Sequence, residues 1–291
     1  MKRWVTFALL LTLVLSARPG LAWGVKGHTW ITENAVALLP AGPLQTYVDL
    51  NAREIVEDAL APDLQWKDGT VGILEGPNHY LDLEAVTPQL NPADLPRYRE
   101  EAARLFTTRG LAYNQSGFLP WRIVEMYQGL VNAFRDDPRN IALYAGALAH
   151  YVGDATQPLH VTVDFDGRAG QRVGGRKYLQ GIHSDYETGF LGGANLEFQQ
   201  SSLALATAPQ PVADPCAAAV ATIFESHKLV DPLYAIVGAA QGPDRYQQWA
   251  PELAQLTRTQ LAKAGSLLAS LWLTAWQEAG SPALTPAAGR S

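Results

Sequence analysis

The chain has 291 residues, of which 28 are acidic and 22 basic, for a formal net charge of −6 at pH 7. That balance argues against loose electrostatic attraction to nucleic acid or to an anionic membrane, though not against capture of either at a cationic site. The single Cys216 excludes an internal disulfide and reads as a small buried side chain.

In chain order, Lys2 and Arg3 precede the apolar run "WVTFALLLTLVLSA", and "GLA" ends at Ala22. A basic start, a short apolar run and small residues predict a signal peptide over 1–22, cleaved to leave Trp23 first. The run is shorter than the ~18–20 apolar residues a membrane span needs, so no anchor is expected after cleavage. The mature protein is then exported, to the periplasm or the outside. Residues 23–279 read as one domain, and "SPALTPAAGRS" reads as a disordered tail over 280–291.

Within that domain helix signals dominate. "TWITENAVALLP" runs from Thr29 to Pro40. "PADLPRYREEAARLF" collects good helix formers after Asp and Pro, and "PWRIVEMYQGLVNAF" has apolar residues at i, i+3 and i+4. From Asn140 to Asp154 the sequence is apolar nearly all round, the pattern of a helix buried inside a bundle. "ADPCAAAVATIFESHKLV" and "PELAQLTRTQLAKAGSLLASLWLTAW" follow, the latter with an uncharged core stretch, 264–277, too short to span a bilayer. Strand-type alternation is absent. The expected fold is all-α, with about seven or more helices.

Five of the six histidines have acidic or chelating companions. His150 and Asp154 lie four apart on the apolar helix, so both project from one face, and His160 follows after Pro158. His183 and Glu187 repeat the spacing. His79 is followed by Asp82, with Asp63 sixteen residues upstream, and His28 comes five residues after Trp23. A plain buried His–Asp hydrogen bond explains one such pair. Two pairs plus His160 suit zinc, whose ligands include neutral imidazole and carboxylate. A freed Trp23 α-amino group, with a pKa near ~7.7, adds a chelating end. His227 lacks a companion and reads as a surface or packing residue.

"WGVKGH", "NHYLDL", "HYVGDATQPLH" and "GIHSDYET" together resemble the zinc-dependent phospholipases C and the related single-strand-specific fungal and plant nucleases. The likeness extends from Trp23 to about Leu191 and implies an all-α fold around three zinc ions. By that resemblance Asp63, His79, His150 and Asp154 hold one zinc, and His160, His183 and Glu187 a second. The Trp23 amine and carbonyl, His28 and the other oxygen of Asp154 hold the third. Asp58 is an alternative to Asp63, and Asp82 would either accept an imidazole N–H or be a surface carboxylate. Asp63 and Asp154 are the catalytic carboxylates of this reading, in which a water activated between two zinc ions attacks phosphorus in line.

The spacings Trp23–His28 and His160–His183 resemble the nucleases, whereas Glu187 resembles the phospholipases and "VGGRKY" departs from the nuclease pattern. The expectation is a phospholipase C-like phosphodiesterase acting on a phospholipid head group. The alternative is a single-strand-specific endonuclease and 3'-nucleotidase. A secreted zinc-binding protein without catalysis is a third reading, of another class. Arg168, Arg172, Arg176 and Lys177 crowd one loop, which reads either as flexible and solvated or as a mobile lip contacting phosphate. No obligate protein partner is inferred.

Overall fold

A computed structural model describes residues 23–239 and 245–284. The expected leader and residues 285–291 of the expected tail lie outside the described residues. The architecture is helical, as the periodicity predicts. Helices α1 (Gly24–Leu38), α2 (Pro43–Leu50) and α3 (Ala52–Ala61) come first, followed by the short α4 (Gly69–Glu75) and α5 (Leu83–Val86). Next are α6 (Arg99–Thr108), α7 (Leu119–Asp136) and α8 (Ile141–Thr156). The single turn α9 (Ile182–Ser184), then α10 (Leu196–Leu203), α11 (Pro215–His227), α12 (Val230–Ala239) and α13 (Arg245–Glu278) complete the set. Among the described residues no helix is long and apolar enough to cross a membrane.

Helix α8 is the axle of the bundle. It packs against α3, α7, α13, α1 and α11, which is why its sequence is apolar on every side. Glycine permits the closest of these approaches. A Cβ on Gly146 would come within 2.5 Å of the Ile55 carbonyl oxygen and 2.8 Å of the Ala59 nitrogen, both backbone atoms of α3. From the other side, the Trp272 indole N–H of α13 donates to Ala145 O at 3.2 Å. The stretch 264–277 is thus a core helix, with Leu268, Leu271 and Trp272 buried.

Three details depart from the sequence reading. The cationic loop is a β-hairpin, β1 (Arg168–Val173) and β2 (Arg176–Tyr178), closed by Gly174 and Gly175, whose φ values are +57° and +82°. Two successive positive φ angles are the geometry glycine allows at a tight hairpin turn, and this short exposed ribbon lacks an apolar alternation that would signal strands. In "PADLPRYREEAARLF" the helix starts only at Arg99, with a separate turn at Pro92–Asp94. Residues 281–284 return onto α13: the Trp276 indole N–H donates to Pro282 O, and Leu284 packs on the core.

Between α10 and α11 an extended strap lies along α13. The N–H groups of Thr207, Gln210 and Val212 donate to the hydroxyls of Ser266, Ser270 and Thr274, three successive positions on one helix face. Asp214 ends the strap and caps α11, accepting from the N–H groups of Cys216 and Ala217.

Gly146→Ala should lower stability although alanine is the better helix former by about 1 kcal/mol. The added methyl must push α3 away from α8, and over-packing of this kind costs about 1–3 kcal/mol. Urea unfolding monitored by circular dichroism checks the sign.

Candidate metal centre

Seven segments deliver the acid and imidazole groups to one place. His28 lies on α1, Asp63 in the π-helical turn Pro62–Trp66, and His79 at the end of the turn Gly76–His79. His150 and Asp154 face the centre from α8, His160 from the turn Pro158–His160, and His183 and Glu187 from α9 and the π-helical turn that follows it. Their ligating atoms gather in three groups, His28–His150–Asp154, Asp63–His79–His150 and His160–His183–Glu187, each within 4.8 Å.

Asp154 is fully buried, and its two oxygens look in different directions. Oδ1 lies 3.5 Å from His28 Nε2, while Oδ2 lies 3.0 Å from His79 Nδ1 and 3.4 Å from His150 Nε2. Asp63 Oδ1 closes the second group at 3.6 Å from His79 Nδ1 and 3.8 Å from His150 Nε2. In the third, Glu187 Oε1 sits 2.8 Å from His183 Nε2 and 3.3 Å from His160 Nε2. Asp58 belongs to none of the three groups; its Cβ packs against α8 beside Gly146.

Backbone carbonyls set the tautomers. His150 Nδ1–H donates to Ala59 O at 2.8 Å and His160 Nδ1–H to His79 O at 2.7 Å, so each ring turns Nε2 inward. The Leu81 N–H answers by donating to His160 O at 2.9 Å, stitching two site segments together. His28 stacks on His150 with ring centroids 4.0 Å apart, and a Cβ on Gly153 would come within 2.9 Å of His28 Nδ1. Trp23, also fully buried, donates its indole N–H to Gly153 O at 2.9 Å, which fixes the start of α1 beside the turn of α8 carrying Asp154.

Both ring nitrogens of His28, Asp154 Oδ1 and Glu187 Oε2 are buried without a hydrogen-bond partner. Polar atoms are not left so at this depth without recompense, and imidazole with carboxylate is the donor set that zinc takes. Burial, reinforced by neighbouring His150, lowers the His28 pKa to about 3, so that ring is neutral and ready to ligate. Burial works against the imidazolium of His160 as well, but Asp154 and Glu187 outweigh it and raise its pKa to about 9. His150 is raised too, by Asp154 and Asp63 against its burial.

The same segments match the zinc dependent phospholipase C family, over residues 27–207. The chain belongs to that family. Family membership and the His–carboxylate groups together support a zinc hydrolase. Over an alignment of 192 positions that covers 56% of this chain, it is also 29% identical to part of a probable serine protease of Bradyrhizobium tropiciagri. The chain spans about a quarter of that relative's length, 24%.

Several contacts were not foreseen in the sequence. Asp82 was expected to orient an imidazole, yet among the described residues no histidine donates to it. It lines the pocket instead, where burial, helped by the nearby charge of Glu84, raises its pKa to about 7. The carboxylate beside His79 Nε2 is Glu75, at 3.4 Å. Its four-residue spacing from His79 was the available signal, obscured by Gly76 and Pro77 between them. His227 does have a companion: Glu84 lies 2.6 Å from its Nε2 and also accepts from the Thr162 hydroxyl and the Val163 N–H. That pair braces the chain just beyond His160.

The hairpin cations stand apart from the centre. Arg168 is bound to Asp164 and Asp231 and lies over the Tyr234 ring, anchoring the hairpin base. Arg172 donates to Gly175 O, and Arg176 is exposed. Lys177 lies over the ring of Phe165 at 5.4 Å. The lysine beside the cluster is Lys67, paired with Asp63.

Zinc uptake by the metal-free protein at pH 7 should release protons, because His160 holds its own until a cation displaces it. Apparent affinity should fall as pH drops below about 9, the pKa of His160. Calorimetric titration in buffers of different ionisation enthalpy measures the release.

Proposed function

We propose that the protein is an exported zinc-dependent phosphodiesterase that cleaves phospholipid head groups as a phospholipase C does. The carrying observation is Asp154, whose oxygens face two separate histidine sets beside a pocket of about 510 Å³ walled by His79, His160 and His183. A carboxylate so placed can bridge two cations. In this reading three zinc ions are held by the nine residues foreseen: Trp23 and His28; Asp63, His79, His150 and Asp154; His160, His183 and Glu187. The Trp23 nitrogen joins them only once cleavage has freed it as an amine. When bound, zinc supplies Lewis acidity toward the phosphoryl oxygen and lowers the pKa of water to near neutrality.

The protein's own side chains do the rest. Asp154 and Asp63 fix the cation spacing, and the buried cluster excludes bulk water. Ile73, Leu159 and Phe165 give the pocket an apolar wall, which suits the glyceride side of a phospholipid. Lys67, although paired with Asp63, lines the same pocket and is the better candidate for a phosphate contact than the hairpin cations, none of which lines it. The nuclease reading draws support from Phe165, 44% exposed at the pocket, whose ring could stack a base. The protease reading suggested by the relative's name lacks its nucleophile: among the described residues the histidines meet carboxylates, imidazoles and backbone carbonyls rather than a serine hydroxyl.

Phosphatidylcholine and single-stranded DNA assayed side by side with zinc-loaded protein test the substrate. Lipid turnover abolished by chelator is the expected result, and DNA cleavage alone would overturn it. Asp154→Asn should cut turnover by more than ~100-fold, beyond the ~10–100-fold typical of losing a group that merely orients a ligand. His160→Ala should cost less, because its cation keeps His183 and Glu187. Near-normal activity in folded Asp154→Asn would exclude a bridging carboxylate.

A further inference from the structure

His79 turns Nδ1 toward Asp154, Asp63 and His150, which leaves Nε2 on the far side of the ring, buried and without a hydrogen-bond partner, with Glu75 Oε1 facing it at 3.4 Å. We propose that Glu75 is a positioning residue, accepting the Nε2–H of His79 so that Nδ1 is presented to a metal, and that Tyr151 and Arg122 hold it in place. The inference rests on the zinc reading above and assigns a role to a group outside the nine ligands.

Glu75 is buried, 6% exposed, and a carboxylate at that depth is costly unless several donors converge on it. They do. The Tyr151 hydroxyl donates to Oε1, while Arg122 Nη2 at 3.3 Å and Asn78 Nδ2 at 3.1 Å donate to Oε2. Arg122 is itself sandwiched, 5.1 Å from the Tyr151 ring centroid and 5.8 Å from that of Trp66. Tyr151 and Asn78 each sit next in sequence to a histidine of the cluster, so the network moves with His150 and His79. An ionised acceptor behind an imidazole fixes its tautomer and ring plane and raises the basicity of the opposite nitrogen.

A purely structural brace between Glu75 and Arg122 makes a different prediction, and Glu125 separates the two. Its Oε2 pairs with Arg122 Nη1 at 3.3 Å, but it is 40% exposed and does not touch His79. The experiment is zinc titration against a competing chelator for wild type, Glu75→Gln, Glu125→Gln and Tyr151→Phe, with folding followed by circular dichroism. Glu75→Gln is expected to weaken one zinc by about 10–100-fold. Glu125→Gln should leave affinity unchanged, and Tyr151→Phe should fall between. Equal affinity in wild type and Glu75→Gln, or equal losses in Glu75→Gln and Glu125→Gln, overturns the positioning role and leaves the zinc reading intact. Failure of wild type to take up zinc overturns both. If Glu75→Gln does not fold, Tyr151→Phe decides, and unchanged affinity there overturns the proposal.

Discussion

The rest of the structure is arranged around a carboxylate with no access to water. Asp154 sits in the last turn of an apolar helix, its charge retained against burial by His150 first and then by His160 and His79. A charge of that kind is tolerated only where partners approach from several directions at once. This explains why α8 runs through the centre of the bundle rather than along its edge. Among its neighbours α1 contributes the His28 imidazole and α3 the Ala59 carbonyl that holds His150. Small residues at Gly146 and Gly153 let those neighbours come near enough.

Charge falls off in layers outward from that point. The three ligand-type carboxylates meet the histidines directly, and Lys67 balances Asp63 at the pocket side. Behind the histidines, Glu75 and Arg122 form a compensating pair, while Glu84 lies against His227 beyond His160. An acidic protein thus gathers Lys67, Arg122 and most of its imidazoles around one buried cluster.

What the sequence made legible was whatever depends on spacing within one helix or one turn. His150 with Asp154, and His183 with Glu187, were visible because four residues make one helical turn. The axle itself was visible because its residues are apolar on every side. Asp63 and Asp58 could not be told apart that way, since the choice depends on how a π-helical turn after α3 swings one carboxylate toward His79 and leaves the other against α8. Glu84 with His227, 143 residues apart, carries no local signal at all. The hairpin was missed because its strands have no buried face for alternation to mark. Its basic side chains were read together, although Arg168 alone is bound into the fold through Asp164 and Asp231.

The strap along α13 shows that a proline-rich connection can carry its own registration. Each hydroxyl beneath it spends its single proton on a carbonyl of its own helix, Ser266 on Ala262, Ser270 on Ser266 and Thr274 on Ser270. What each then offers the strap is a lone pair, so the helix face can be read only by N–H donors. Those donors are Thr207, Gln210 and Val212, while the donorless Pro209 and Pro211 alternate with the last two. Sliding the strap by one residue in either direction would bring a proline over the Ser270 hydroxyl, and in one direction over that of Thr274 as well. "TAPQPV" is therefore matched to α13 tooth by tooth, and it delivers Asp214 to the start of α11 at one defined phase.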